Sequence, residues 1–481
     1  MGVSRRGFIR GLGAGAVAPL ASALTAQAAR GGDKPNIVFF LIDDLGWADL
    51  GCQGSRYYET PNIDRLAARG MRFTDAYTCA ANCAPTRASL MSGKYTPRHG
   101  VFTVGDPWRG PHHARKLIPV PNNLTLSPDE ITIAEALRAA GYVCAHMGKW
   151  HLGKPGVAGP IEQGFHLNVG GTHAGSPPGG YFLPNRLRLE GAKKGQYLTD
   201  YLTDRAVEFI EENKDRPFFL YLSHYAVHSP LQAKKGLIAK FRDKKPWHEQ
   251  GNAVYAAMIA SVDESVGRVL AKLDALGLAD NTIVFFTSDN GGVGYQRTGL
   301  RHRGWTDNYP LRGGKGQFYE GGIRVPLIIR WPGVTKPGST CDVPVITVDF
   351  YPTILEMIGA KRPEGQKLDG ESIVPLLKGS GGLRRKSIFW HFPCYLQASR
   401  GQLRTSPVSV IRRGDLKLLW FYEDDHVELY DLREDISEQR DLSKKFPEKA
   451  AELHRELKGW LRDVSAPRPK PNPAYRPTKT L

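Results

Sequence analysis

At 481 residues the chain is too long for one small domain and long enough for a large core with a lesser unit beside it. Hydrophobic residues at 41% and charged residues at 23% exclude a disordered or collagenous chain, and a net charge of +17 suits an anionic partner such as nucleic acid, anionic lipid or a sulfated polymer. Lys and Arg are spread along the chain without a basic recognition helix, so no nucleic-acid partner is expected.

The first element is a targeting segment over residues 1–28. Ser4 to Gly11 read "SRRGFIRG", a mild Ala/Gly/Leu stretch follows, and Ala26–Ala28 offer a small-residue cleavage site. This resembles a twin-arginine export signal, which implies the twin-arginine machinery as a partner and a periplasmic or extracellular mature protein. Removing Arg5, Arg6 and Arg10 with the segment lowers +17 to +14. No later segment has the length of a membrane span, so no stable membrane insertion is expected once the segment is gone.

Four short apolar runs follow: Ile37–Ile42, Tyr142–Met147, Phe218–Leu222 and Ile283–Thr287. They are nearly continuous and rich in β-branched and aromatic residues, which fits strands covered on both faces. Helical patterns precede the last three ("TIAEALRAAG", "YLTDYLTDRAVEFIEENK" and "AVYAAMIASVDESVGRVLAKLDALG"), the last closing on a C-cap at Gly277. Alternation of this kind predicts an α/β domain over 33–375, with a large, mostly parallel sheet sandwiched by helices. Over 376–465 the pattern changes. Three strand-like runs with turns at 413–415 and 423–425 lead into a helix from Pro447 to Leu461, a small antiparallel sheet with one helix packed on it. The tail, 466–481, is Pro-rich and basic.

Each apolar run ends in polar residues, and in parallel sheets ligands bind beyond the carboxyl ends of the strands. Asp43-Asp44 and Asp289-Asn290 end the first and fourth runs. Two such oxygen-only sets point to a hard cation, Ca²⁺ or Mg²⁺. Lys149 and His151 end the second run, and His224 and His228 the third. Lys315 sits in the Gly-rich "LRGGKGQFYEGG", without the preceding strand or spacing of a nucleotide loop. "NCAPTRASLMSG" (82–93) reads as a helix that starts at Cys83 and stops at Gly93. Pro85 fits its first turn, and Cys83 and Arg87 share one face, next to backbone N–H groups that favour an anion.

"CAPTRASLMSG" resembles the signature of the formylglycine-dependent sulfatases, Cys-x-Pro-Ser-Arg followed by an apolar pair and Thr-Gly. Thr86 and Ser92 depart from the common Ser and Thr but keep a hydroxyl. "IDDLGWADLGCQG", "GKWHLG", "SDNGG", "GGKGQFYEGGIRVP" and "ELYDLREDISEQRDL" extend the resemblance over nearly the whole mature chain. It implies an alkaline-phosphatase-like fold and hydrolysis of a sulfate ester. It implies that a maturation enzyme oxidises Cys83 to formylglycine, whose hydrate is the nucleophile. Asp43, Asp44, Asp289, Asn290 and the residue-83 oxygen would hold Ca²⁺. Arg87, Lys149 and Lys315 would neutralise sulfate oxygens. His151 would take the proton that expels sulfate, His228 with Lys315 would protonate the leaving alcohol, and Asp289 would help deprotonate the attacking hydroxyl. Thr172 and His173, and more remotely His391, are candidate substrate contacts.

Two other readings stay open at this level: a phosphonate or phosphate monoester hydrolase of the same superfamily, and a non-catalytic binder of sulfated polymers. A sulfated carbohydrate is the expected substrate class, because "DPWRGPHHARK" and "RTGLRHRGWTDNY" fill the expected rim loops with Arg, His, Trp and Tyr. The six cysteines are irregularly spaced, so no disulfide framework is needed.

Overall fold

The computed structural model describes residues 34–397 and 403–476; the export segment expected over 1–28 lies outside the described residues, as do 477–481. The run NIVFFLI sets the centre of the fold. Asn36–Ile42 (β1) is buried along its length. Successive side chains of a strand leave opposite faces, so Val38, Phe40 and Ile42 enter one apolar cluster while Ile37, Phe39 and Leu41 enter a second on the far side. A strand buried on both faces has no polar alternation, which is why the run is continuously hydrophobic.

Seven more strands join it: Met71–Phe73 (β2), Val143–Gly148 (β3), Leu167–Val169 (β4), Phe218–Ser223 (β5), Thr282–Ser288 (β6), Leu327–Arg330 (β7) and Ser339–Cys341 (β8). Their order is β8-β2-β7-β6-β1-β5-β3-β4. β7 runs antiparallel to both neighbours and the other pairings are parallel. The four strands expected from the apolar runs are contiguous at the centre.

Helices cover both faces. Cys83–Ser92 (α1) and Ile133–Ala139 (α2) pack on the cluster that holds Phe39, and Leu198–Glu212 (α3) and Ala253–Ala275 (α4) on the one that holds Phe40. Their ends follow from local sequence. Thr132 and Glu135 form a reciprocal capping box on α2. The Asn252 side chain accepts from two first-turn N–H groups of α4, and Gly277 just beyond it has φ +68°.

The C-terminal sheet is antiparallel, in chain order: Ser387–Phe392 (β9), Val408–Arg413 (β10), Leu416–Phe421 (β11) and Val427–Asp431 (β12). Pro447–Asp463 (α5) lays Leu453, Leu457 and Leu461 on one face. The other face meets Tyr77, Phe318 and Ile323 of the main unit. Between the two lies Lys417, fully buried and 2.8 Å from both Glu320 and Glu438. In the tail, Lys470–Pro471 pairs antiparallel with Leu117–Ile118. All six cysteines are free thiols.

Candidate active site

Parallel alignment puts the carboxyl ends of β3, β5, β1 and β6 along one rim. Ile42 lies opposite Ser288, so Asp43-Asp44 and Asp289-Asn290 leave neighbouring strands side by side. The Asp44 N–H donates to Asp289 Oδ1 at 3.2 Å, and Asn290 Nδ2 donates to Asp44 Oδ1 at 2.9 Å. Asp44 and His151 both have φ +64°, uncommon for residues with a side chain. Strain of this kind, about 1–3 kcal/mol per residue, persists where the surroundings over-determine it. For His151 the restraint is its N–H donating to the Thr172 carbonyl at 2.9 Å.

Every carboxylate here has a buried cation. Lys149 Nζ donates to Asp43 Oδ2 at 2.7 Å, Lys315 Nζ lies 2.7 Å from Asp44 Oδ1, and Arg87 donates to Asp289 Oδ2 through Nε at 2.8 Å with Nη2 at 2.7 Å. Arg87 Nη1 also reaches the Lys149 carbonyl and Ser223 Oγ. Burial pushes the Asp43 carboxyl well above the usual range despite Lys149. Burial also works to raise Asp44, but Lys315 and then His228 outweigh it and hold that carboxyl well below the usual range.

Cys83 starts α1 as expected, and Gly93 ends it with φ +68°. The thiol is 2% exposed, and its Sγ lies 3.4 Å from His151 Nδ1. Burial pushes it above the ordinary thiol value. Ligating atoms of Asp43, Cys83 and Asp289 fall within 4.8 Å of one another, as do those of Asp43, Asp44 and His228. Two buried oxygens here have no hydrogen-bond partner: Asp43 Oδ1 and Asn290 Oδ1. Unpartnered buried oxygens cost free energy that a cation would recover, and a carboxylate and amide oxygen set fits a hard one. The residues present therefore fit a Ca²⁺ or Mg²⁺ site.

His151 is held well below its ordinary pKa by burial and then by Lys149, Arg87 and Lys315, so its imidazole is neutral. His228 Nε2 lies 3.7 Å from Asp44 Oδ2, and its Nδ1 is 2.7 Å from the Ser229 carbonyl. His224, the lesser candidate of that pair, turns to Ser265 Oγ at 2.9 Å. Thr172 is half-buried and His173 exposed, in a loop whose Gly175 packs so closely on the His151 ring that a Cβ there would lie 2.7 Å from it. Ser223 was not singled out from the sequence. Its signal is a hydroxyl at the last position of a buried strand.

His391 corrects an expectation. It lies inside the C-terminal unit, 2% exposed, with Nδ1 on Ser409 Oγ at 2.7 Å and Nε2 on the Pro467 carbonyl at 2.8 Å, so no ring nitrogen is left for a substrate. Burial holds it down to about 4, against an ordinary 6.5. The unfolded chain therefore binds the proton first, and stability is lost as pH falls from the ordinary value through the folded one. Between pH 7.5 and 5 the wild type should lose about 2 kcal/mol more than His391→Gln, read from urea melts at both pH values. An equal loss in the two proteins would contradict this.

The family profile named sulfatase matches residues 35–360, and the profile for the C-terminal part of N-sulphoglucosamine sulphohydrolase matches 313–466. A sulfatase from Formosa agariphila is 36% identical, covering 93% of this chain and 92% of its own. Arylsulfatase A from Homo sapiens is 33% identical over 80% of this chain and 75% of its own. The crystal structure of Ps i-CgsB in complex with k-i-k-neocarrahexaose matches with a TM-score of 0.73 at 31% identity, covering 92% of this chain and 95% of that one. The chain belongs to the sulfatase family, hydrolases of sulfate esters with an alkaline-phosphatase-like fold.

Proposed function

We propose that the protein is an exported hydrolase that removes sulfate from a sulfated carbohydrate, with Cys83 converted to formylglycine by a maturation enzyme and Ca²⁺ held by Asp43, Asp44, Asp289, Asn290 and the residue-83 oxygen. The observation that carries this reading is the position of Cys83, at the start of α1, against two carboxylates and His151. Ca²⁺ would supply positive charge at the sulfate oxygens. A formylglycine hydrate would supply one hydroxyl to attack sulfur and a second from which the aldehyde is regenerated, which neither a thiol nor a serine offers.

The remaining work falls to side chains around it. Arg87 and the first-turn N–H groups of α1 favour a tetrahedral anion beside residue 83. Lys149 and Lys315 would hold the other sulfate oxygens and stabilise charge as it develops. His151, neutral and 3.4 Å from the Cys83 sulfur, would take the proton released when sulfate leaves the hydrate. Lys315 and His228 would supply the proton to the departing alcohol. A carbohydrate substrate is supported by the resemblance to Ps i-CgsB, solved with k-i-k-neocarrahexaose. Export rests on the twin-arginine pattern at Arg5-Arg6, with a main catalytic domain over 33–375 and a lesser one over 376–465 as the exported units.

Two measurements on protein from its native host test the reading. The peptide containing residue 83 should be lighter than its sequence by H₂S less one oxygen atom, and the protein should turn over an aryl sulfate faster than an aryl phosphate. Unmodified Cys83 in fully active protein would remove the formylglycine assignment. Faster phosphate release would move the protein to the phosphomonoester hydrolases.

A further inference from the structure

Arg404 differs from four other arginines that are largely buried. Arg87, Arg324, Arg385 and Arg412 each hold a carboxylate. Arg404, half-buried, makes no side-chain hydrogen bond or ion pair among the described residues, and its Nε is buried without a partner. Its guanidinium instead lies over the Tyr295 ring, 4.9 Å from the centroid. That contact satisfies none of the five N–H donors.

Its neighbours are those of the active site. The Tyr295 hydroxyl donates to the Lys315 carbonyl at 3.0 Å, and Gln317 Nε2 donates to the Arg404 carbonyl at 3.2 Å. Gly316, whose N–H donates to the Ala81 carbonyl at 2.7 Å, lies two residues from Cys83 through that bond. It has φ +86°, and a Cβ there would lie 2.5 Å from Arg404 Cδ. Glycine at 316 thus admits the Arg404 side chain beside Lys315. The His302 ring lies 5.9 Å from Tyr295 and 5.2 Å from Trp305, whose indole Nε1 is also buried without a partner. A cation, an imidazole and aromatic faces thus lie next to the lysine assigned to the sulfate.

We propose that Arg404 is a specificity-determining contact for a second anionic group of the substrate, a carboxylate or a further sulfate, distinct from the ester that is cleaved. The proposal rests on the sulfatase reading above. It names the substrate as a carbohydrate with at least two anionic groups, one at Lys315 and one at Arg404. A planar guanidinium suits either oxyanion in a two-point contact.

The test compares the full-length matured wild type with Arg404→Met and Arg404→Lys on sulfated oligosaccharides. One ligand carries a single sulfate, one carries two sulfates, and one carries a sulfate and a uronate carboxylate. A charged hydrogen bond of about 1.5–3 kcal/mol corresponds to about 10- to 150-fold. Arg404→Met should lower by that factor the ratio of kcat/KM for a two-anion ligand to kcat/KM for the single-sulfate ligand. Arg404→Lys, which keeps a point charge and guards against misfolding of the first variant, should lower it less. The ligand that shows the fall tells carboxylate from second sulfate. A parallel arm titrates the same ligands into Cys83→Ala with and without Arg404→Met and reads the same ratio from Kd. If the wild type releases no sulfate, the functional reading fails while the binding arm still reports on Arg404. An unchanged ratio, or an equal fall on all three ligands, overturns the proposal.

Discussion

Replacing Cys83 with alanine should abolish sulfate release and leave the protein folded. Residue 83 is 2% exposed, at the start of a helix whose residues are buried throughout, so its stability cost and its chemical cost can be separated. Alanine removes one sulfur atom from a polar rim, a loss on the order of 1 kcal/mol. Loss of an enzyme nucleophile costs about 10⁴–10⁶-fold in turnover. Initial rates on an aryl sulfate, paired with urea melts, measure both. Cys83→Ser sharpens the result. Serine keeps an oxygen where the hydrate oxygens would stand but cannot form a geminal diol, so it should be as inactive as alanine. Serine activity near that of the wild type would mean that a simple alkoxide suffices, and alanine activity above a few per cent would take the nucleophile away from residue 83.

The central sheet and the rim were legible because the physics there is local. β1, β3, β5 and β6 are buried on both faces, so their sequences are nearly continuous apolar runs, broken inside only at His146 of β3, and the polar residues of the site follow each at the same end. β2, β4, β7 and β8 were not read. They have only three or four residues each, and the reversed direction of β7 depends on how the chain arrives rather than on the sequence LIIR. His391 was misplaced for a related reason. In SIFWHF the histidine lies opposite Ser409 across an antiparallel pair, and only that register shows that its ring is already satisfied. Ser223 and Arg404 act through partners more than 80 positions away, Arg87 and Tyr295, and no spacing along the chain announces such pairs.

Asp289→Asn should combine a large loss of stability with loss of the response to calcium. Asp289 is fully buried and takes two nitrogens of Arg87, itself 1% exposed. Asparagine keeps the shape and removes the charge, leaving the guanidinium with neutral acceptors alone: the amide oxygen at 289, the Lys149 carbonyl and Ser223 Oγ. Removing one partner of a buried ion pair costs about 3–5 kcal/mol, since the other charge stays behind. The calcium term is separate. An ion that binds only the folded chain adds about 3 kcal/mol at 100 times its Kd, and Asp289 is among the oxygens expected to hold it. Asp44→Asn separates the two terms. It orphans Lys315, whose side chain is 11% exposed and so less costly to leave alone, yet it removes a ligand of the same ion. Thermal melts after chelation, with and without added Ca²⁺, should then show a rise for the wild type and none for either variant. In the chelated state Asp289→Asn should be the lower of the two. Lys149 and Lys315, each tied to a carboxylate here, would become available to a sulfate when a dication takes over those carboxylates, so the same additions should restore turnover to the chelated wild type alone. A wild-type melt indifferent to Ca²⁺, or an equal rise in Asp289→Asn, would refute the metal assignment while leaving the Arg87–Asp289 pair as a structural fact.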